Sequence, residues 1–268
     1  MKLVAIVRTP TRPDEAARAV ADVTGLTLAE ARMRLAPEPP ALLARLEPDE
    51  ADALVVSLRK AGLAALAVDI RVPTDKDRTV ARSLSFESTG MTFTSRSGHA
   101  LQVLWPDVLA ILRGLRASRS DVERTEKSKS FSVGAAVATG GLKMTRTATR
   151  TVRSSEEVTE QVILVYARDG RAAMLSEYEL DFSCLGPRMQ PSSTGNIVDL
   201  ARRLRDEAKG AFYDERLLRL GRRPLPLLAG GESRVQAATI TMTRTDTSAS
   251  LDVLAEVMRQ ALADGLLP

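Results

Sequence analysis

The sequence predicts an α+β fold, in which a small helical N-terminal domain precedes an antiparallel, strand-rich region. Helix-like periodicity, interrupted by a glycine turn and prolines, fills most of residues 1–62. Short strand-like runs bounded by turn residues follow in the middle of the chain. Apolar residues make up 44% and charged residues 27% of the 268 residues, a composition that supports packed cores and excludes a disordered chain.

The N-terminal segment predicts the order β-α-α-α-β over residues 1–72. Pro13 fits the first turn of a helix, and Gly25 supplies the turn that follows it. Thr27 and Glu30 have the spacing of a capping box, which marks the start of the next helix. The predicted elements are a strand at Leu3–Val7, a helix capped by Thr11, helices at Leu28–Leu35 and Asp49–Ala61, and a strand at Leu63–Ile70.

Two blocks of this segment carry a resemblance to a known family. Residues 23–31 read Val-Thr-Gly-Leu-Thr-Leu-Ala-Glu-Ala, and Glu-Ala-x-x-Leu…Leu-x-x-Ala-Gly follows after a proline break. Both are similar to the C-terminal domain of the bacterial ribosomal stalk protein, over about residues 1–72. The resemblance implies a domain that presents its first helix and turn to translation factors. Arg18 and Arg32 keep a positive charge at two of the basic positions used for this, whereas other residues replace Lys or Arg at Pro13, Ala21 and Ala29.

Residues 78–220 predict a second, antiparallel domain. Runs over Val80–Glu87 and Met91–Ser95 predict one hairpin, and Gln161–Arg168 with Ala172–Glu179 predict another around Asp169-Gly170. A long helix then places apolar residues on one face, with Thr194 or Asn196 as its cap. The apolar residues of this face are Ile197, Leu200, Ala201 and Leu204.

Meandering strands closed by one helix resemble a pleckstrin-homology-like barrel, and Leu104–Leu109, read as apolar–Trp–x–Asp–Val, fits a strand of that family. A generic α+β sheet domain is the alternative. Such domains bind peptides or anionic lipids, which the resemblance implies here as well.

The C-terminal part predicts a linker at residues 221–233 and a strand-helix appendage at residues 234–268 that packs on one of the two domains. Its strand is Val235–Thr243, and Ser248 or Ser250 caps its helix. The stretch Met144–Thr149 recurs as Met242–Thr247, and its alternating threonines predict strands at both places.

Residues 119–153 predict a basic hairpin inserted between the strands. The segment contains eight Lys or Arg and three acidic residues, a net charge of +5. It predicts docking on an acidic protein or an anionic membrane. Nucleic acid is disfavoured because Phe131 is its single aromatic residue. A solvated hairpin whose apolar tip packs on the neighbouring domain is the alternative. Its candidate binding residues are Lys127, Lys129, Lys143, Arg146 and Arg150.

The residues that usually carry chemistry do not form a recognisable set. His99, the single histidine, falls in a turn, and Cys184, the single cysteine, excludes an internal disulfide and a multi-thiol metal site. Glu177 and Glu179 would share a strand face but have no third ligand pattern. The glycines of residues 134–142 lack the Gly-Lys-Ser/Thr of a phosphate loop. The sequence therefore predicts no catalytic residue, cofactor or metal.

The favoured function is non-catalytic: an adaptor that binds a protein partner through the basic hairpin. Peripheral binding to anionic membranes is one alternative, and an enzyme site assembled from Glu177, Glu179, Arg202 and the basic loop is another. The absence of a long apolar run and the low cysteine content predict a soluble, cytoplasmic protein. The net charge of +4 is mild. The sequence specifies neither the partner nor the oligomeric state.

Overall fold

The computed structural model describes residues 1–131, 145–221, 225, 227–228, 232–237 and 240–268. These residues form a mixture of helices and strands, which confirms the α+β class. The helices are α1 Pro13–Thr24, α2 Leu28–Leu35, α3 Pro48–Lys60, α4 Ser193–Glu207, α5 Leu217–Leu220 and α6 Ser248–Ala263. The strands are β1 Lys2–Ile6, β2 Ala41–Leu46, β3 Ala65–Asp69, β4 Thr79–Phe86, β5 Gly90–Ser95, β6 Ala100–Leu104, β7 Val108–Phe131, β8 Thr145–Ala167, β9 Ala172–Ser176, β10 Phe212–Asp214, β11 Glu232–Ala237 and β12 Ile240–Asp246.

The small N-terminal sheet has the strand order β2-β1-β3, with antiparallel pairing on both sides of β1. The predicted order β-α-α-α-β is therefore wrong, because a strand separates α2 from α3. The missed strand, Ala41–Leu46, has no β-branched residue, and its pairing with β1 determines its conformation. The capping box of Thr27 and Glu30 is confirmed, with both reciprocal hydrogen bonds present.

The large sheet has the strand order β11-β12-β7-β8-β9-β4-β5-β6, and β10 pairs with β7 in parallel. Among the described residues this path is open, with β11 and β6 at its two ends. The two predicted hairpins, β4–β5 and β8–β9, are confirmed as antiparallel pairs. The pleckstrin-homology-like arrangement stays a prediction.

The C-terminal part joins the large sheet through β12, which pairs with β7 over residues 118–124. One strand at Val235–Thr243 was expected here, whereas the structure has the antiparallel pair β11 and β12. Thr145, Thr147 and Thr149 lie in β8 and Thr243 and Thr245 in β12, as predicted, whereas Thr247 lies outside the strand, directly before α6. The expected caps differ, because Arg12, Ser192 and Thr247 precede α1, α4 and α6.

Helix α6 connects the two sheets. Leu3, Ala5 and Val7 of the β1 segment join it in one apolar core together with Ala110 and Leu112 of β7. The alternate residues of β1 face α1 and α3 in a second core. The other side of β7 packs on α4, whose predicted apolar face is buried in a third core. The layers are therefore helices α1–α3, the small sheet, α6, the large sheet and α4.

Candidate partner-binding surface

Strands β7 and β8 form an antiparallel hairpin that differs between its two halves. The pairing runs without interruption from Ala110↔Tyr166 to Phe131↔Thr145. Residues 162–167 of β8 are buried, whereas residues 154–158 of the same strand are exposed. We call residues 118–131 and 145–158 the distal half, and residues 108–117 and 159–167 the proximal half. The proximal half belongs to the core, and the distal half extends past it.

Where the two halves of the hairpin meet, neighbouring residues form hydrogen bonds with the outer edges of β7 and β8. On the β7 edge, Ala117 N donates to Thr247 Oγ1 (2.9 Å), and Thr247 N donates to the Ala117 carbonyl (3.0 Å). On the β8 edge, Gln161 N donates to Glu177 Oε2 (3.0 Å), and Glu177 N donates to the Gln161 carbonyl (3.0 Å). The Tyr178 hydroxyl donates to the carbonyl of Thr159 (2.7 Å). These contacts fix where the hairpin leaves the core.

The same bonds reveal which backbone groups of β8 point away from β7. In a strand with neighbours on both sides, the backbone groups of alternate residues point to opposite neighbours. Gln161 and Thr159 direct theirs to the outer edge, whereas Arg168 N bonds to Asp107 on the β7 side. The odd-numbered residues of β8 therefore present N–H and C=O groups at this edge. In the described part of the chain, β9 occupies the edge only along Val162–Tyr166.

A charge network lies at the base of the hairpin, between the loop after β3, strand β7 and helix α6. Its members are largely buried except Asp75, whose side chain is 42% exposed. Arg116 of β7 donates to both carboxylate oxygens of Asp75 (2.6 and 2.8 Å). Arg78 bridges Asp75 (2.8 Å) and Asp252 of α6, and the side chains of Arg78 and Asp252 are 2% and 7% exposed. The network therefore ties the small domain, the sheet and α6 together.

The two carboxylates of the network have opposite pKa shifts. Burial raises the pKa of Asp252, and the nearby Arg78 guanidinium acts against this shift. Burial also disfavours the charged form of Asp75, but Arg116 and Arg78 outweigh it and hold its pKa below its ordinary value. Arg116 in turn has its pKa raised, because Asp75 outweighs the effect of burial on the guanidinium. Asp75 is therefore the ionised centre of the network.

A row of apolar side chains crosses the sheet beside the distal half. Val235 of β11 is opposite Met242 of β12, which is opposite Val122 of β7. Directly opposed residues share a face of the sheet. Val235 is 65% and Met242 39% exposed, and Val158 of β8 is 49% exposed. The distal part of the sheet thus offers apolar area together with its open edge.

The predicted basic residues of the hairpin fall on both strands. Lys127 and Lys129 lie in β7, opposite Thr149 and Thr147 of β8. Arg146 and Arg150 lie in β8, opposite Ser130 and Glu126. Lys143, with the glycine-containing stretch 134–142, lies outside the described residues. Residues 119–131 and 145–153 therefore lie in β7 and β8. The role of these basic residues in binding stays a prediction.

Arg18 and Arg32 are both exposed on the small domain. Arg32 Nη2 is 3.0 Å from Asp14 Oδ1, so its charge is partly neutralised by α1. A translation-factor contact through these two residues stays a prediction.

His99 and Cys184, the two isolated candidates for chemistry, lie in the kinds of position that the sequence predicts. His99 is exposed in the β5–β6 turn, where its backbone N–H donates to Ser95 Oγ (3.1 Å). Cys184 is half-buried in the 3-10 segment Phe182–Arg188. Burial raises the pKa of its thiol, although Arg203 acts in the opposite direction. Such a thiol is a weak nucleophile, because the thiolate is the reactive form.

The expected carboxylate pairing is wrong. Strand β9 ends at Ser176, so Glu177 and Glu179 lie in a turn, the first buried and the second exposed. Glu177 accepts from the Ser193 hydroxyl (3.4 Å) and from Thr194 at the start of α4. Arg202 pairs with Asp199 of its own helix (2.6 Å). Glu177 therefore connects β8 to the start of α4 through hydrogen bonds.

The sequence of Ser154-Ser155 followed by Glu156-Glu157 favours a turn with solvated charges. The pair of glutamates lies instead in the distal half of β8, where both residues are exposed as predicted.

Two clefts flank the charge network. One, of about 710 Å³, lies between residues 70–76 and the start of α6, and its charged lining includes Arg71, Lys76, Asp246 and Asp252. The other, of about 630 Å³, is lined by His99, Arg78 and Glu179 among others. Both contain charges of either sign, so neither selects an ionic ligand by charge alone. Within the described ranges no cluster of three or more His, Cys, Asp or Glu could hold a metal ion.

None of the helices in the described part of the chain is long and apolar enough to cross a bilayer. Comparison of the chain with protein-family models, curated proteins and solved structures found no match.

Sequence reasoning missed the charge network and the edge of β8. Residues 73–77, which include Asp75, have the composition of a linker or a turn, and the partners of Asp75 and Arg78 in β7 and α6 are distant in sequence. Arg116 interrupts the apolar run of β7, and a charge at that place was the available signal. The open edge follows from strand pairing, which local patterns do not specify.

Proposed function

We propose that this protein is a non-catalytic binding protein that engages a protein partner through the distal half of the β7–β8 hairpin. The observation that supports the proposal most directly is the contrast along β8, where residues 162–167 are buried and residues 154–158 are exposed. The side chains of the proximal half pack in the cores of the fold. The distal half lies past the core and leaves an edge of β8 open among the described residues.

Three features of the distal half favour a protein as the partner. An open edge can add an extended segment by backbone hydrogen bonds. The apolar residues Val235 and Met242 supply area that becomes buried in a complex. The excess of Lys and Arg in residues 119–153 favours an acidic partner and accelerates its encounter.

The test compares affinity purifications with matched variants. The first variant reverses the charges of Lys127, Lys129 and Lys143 to Glu. The control reverses three exposed basic residues outside the hairpin, Arg96, Arg188 and Lys209. Partners are identified by mass spectrometry, and both variants are first checked for wild-type thermal unfolding.

The proposal expects a stoichiometric protein partner that the control retains and the hairpin variant loses. Retention of every partner by the hairpin variant would contradict it. Co-sedimentation with anionic vesicles at low salt, lost in the hairpin variant without any protein partner, would favour the membrane-binding alternative instead.

A further inference from the structure

We propose that the open edge of β8 pairs with the same edge of a second copy of this chain, so that the two large sheets continue into one another about a two-fold axis near Thr151. This inference goes beyond the proposed function, since it assigns the open edge of β8 to a second copy of this chain. A different protein would then bind through the basic residues of β7 and the apolar residues Val235 and Met242, or would compete with the second copy for the edge.

The geometry of the edge sets the limits of the pairing. Odd-numbered residues of β8 direct their backbone groups outward, as Gln161 and Thr159 demonstrate. These two positions are already bonded to Glu177 and Tyr178, so an added strand meets open groups from Glu157 toward the distal end. Glu157 and Ser155 are exposed. The open run of described residues is therefore 145–157.

The charges along this run are self-complementary. Positive residues, Arg146, Arg150 and Arg153, occupy its distal part, and Glu156 and Glu157 occupy the end nearest the core. An antiparallel copy of the same strand places the basic part of one chain beside the acidic part of the other. A two-fold axis repeats each such contact, as expected for an isologous interface.

One register suits the run better than its neighbours. With the axis at Thr151, Thr151 is opposite its own copy and Arg146 is opposite Glu156. No like charges are then directly opposed within residues 145–157. An axis at Arg153 would oppose two arginines. Cross-strand Thr–Thr pairs and opposite-charge pairs both stabilise antiparallel sheets.

The test uses charge reversal in the full chain. Glu156→Lys places a lysine opposite Arg146 twice in the dimer, and Arg146→Glu places a second glutamate opposite Glu156 twice. Each single variant should therefore self-associate roughly tenfold more weakly than wild type. A mixture of the two variants should form a heterodimer, because each opposed pair then joins a positive and a negative residue. Arg150→Glu is the matched control, because position 150 lies opposite Val152.

The readout is molar mass by sedimentation velocity over a concentration series. Wild type and Arg150→Glu should reach twice the 29.0 kDa chain mass, each charge variant should remain smaller at the same concentration, and the mixture should recover the dimer. Circular dichroism confirms that each variant is folded.

A monomeric wild type would overturn the proposal and would indicate that these charges protect the edge against pairing. Self-association of Glu156→Lys as strong as that of wild type, a mixture that associates no better than its two components, or loss of the dimer in Arg150→Glu would overturn it as well. The measurement needs no partner protein, so this inference and the proposed function can fail separately.

Discussion

The proximal and distal halves of the β7–β8 hairpin share two strands and one register, yet their sequences obey different constraints. In the proximal half both faces of β8 are buried, Ile163 and Val165 against α4 and Val162 and Leu164 against α6. In the distal half serine, threonine and charged residues alternate with few apolar ones, and residues 154–158 are exposed. Strand length alone therefore does not define a core. Burial on both faces of a strand defines a core. The rest of the two strands is available for other contacts.

The largest difference in stability is expected between a residue of the charge network and a charged residue of the distal half. Arg78→Met leaves Asp252 buried without its cation, which should lower the free energy of unfolding by about 3–5 kcal/mol. Arg119→Met, in the distal half, removes an exposed pair with Asp121 and should cost less than about 1 kcal/mol. Urea unfolding of both variants measures the difference. Equal losses would contradict the division into halves.

Truncation of an apolar side chain should likewise cost more stability in the proximal half than in the distal half. Leu112 is fully buried between the large sheet and α6, so Leu112→Ala should cost about 2–5 kcal/mol. Val158→Ala, at a residue 49% exposed, should change stability by about 0.5 kcal/mol or less. The midpoints of urea unfolding compare the two. A large loss at Val158 would mean that the distal half is packed against something in the isolated chain.

Added volume should be harmful only in the proximal half. A Cβ at Gly114 would lie 2.5 Å from Leu251 Cδ1 and 3.3 Å from Leu217 Cβ, so the Leu251 side chain would have to move within a packed core. We expect Gly114→Ala to cost about 1–3 kcal/mol. Ser120→Thr, which adds a methyl group in the distal half of the same strand, is the control and should be nearly neutral. Thermal unfolding of the two variants is the measurement, and an unaffected Gly114→Ala would contradict the close packing of α6 on β7.

Much of the local structure follows from local chemistry, and this explains which predictions were confirmed. Thr27 and Glu30 lie within one turn of each other, so their capping box is readable from spacing alone. Asp169-Gly170 likewise specifies the β8–β9 turn. Strand Ala41–Leu46 depends instead on pairing with β1, and its composition gives no indication of that pairing.

The candidate site was predicted in part. The hairpin at residues 119–153 was recognised from its charge, but its open edge depends on β9 ending at Ser176. The contact of Arg78 with Asp252 spans 174 residues of sequence. Neither feature leaves a periodic or spaced pattern, so sequence reasoning had no means to find them.

A smaller, pH-dependent effect on stability should distinguish the charge network from the distal half. The pKa of Asp75 is lower in the folded protein, so its stabilising contribution is present above its ordinary pKa of 3.8 and is lost as the pH falls through the lowered value. Asp75→Asn should therefore flatten the loss of stability between about pH 5 and pH 2. Asp121→Asn, in the distal half, should flatten it less, because its partner Arg119 is 54% exposed whereas Arg116, a partner of Asp75, is 12% exposed. Urea unfolding at several pH values tests this, and identical slopes for all three proteins would contradict it.

Amide hydrogen exchange along β8, followed by NMR at low and high protein concentration, tests the division most directly. Ile163 and Val165 should be protected at both concentrations, because their N–H groups bond to β9 within the core. The odd-numbered amides from Thr149 to Glu157 should exchange rapidly in dilute protein and become protected as the dimer forms. Protection of these amides in dilute protein, equal to that of Ile163, would contradict an open edge and a separate binding half.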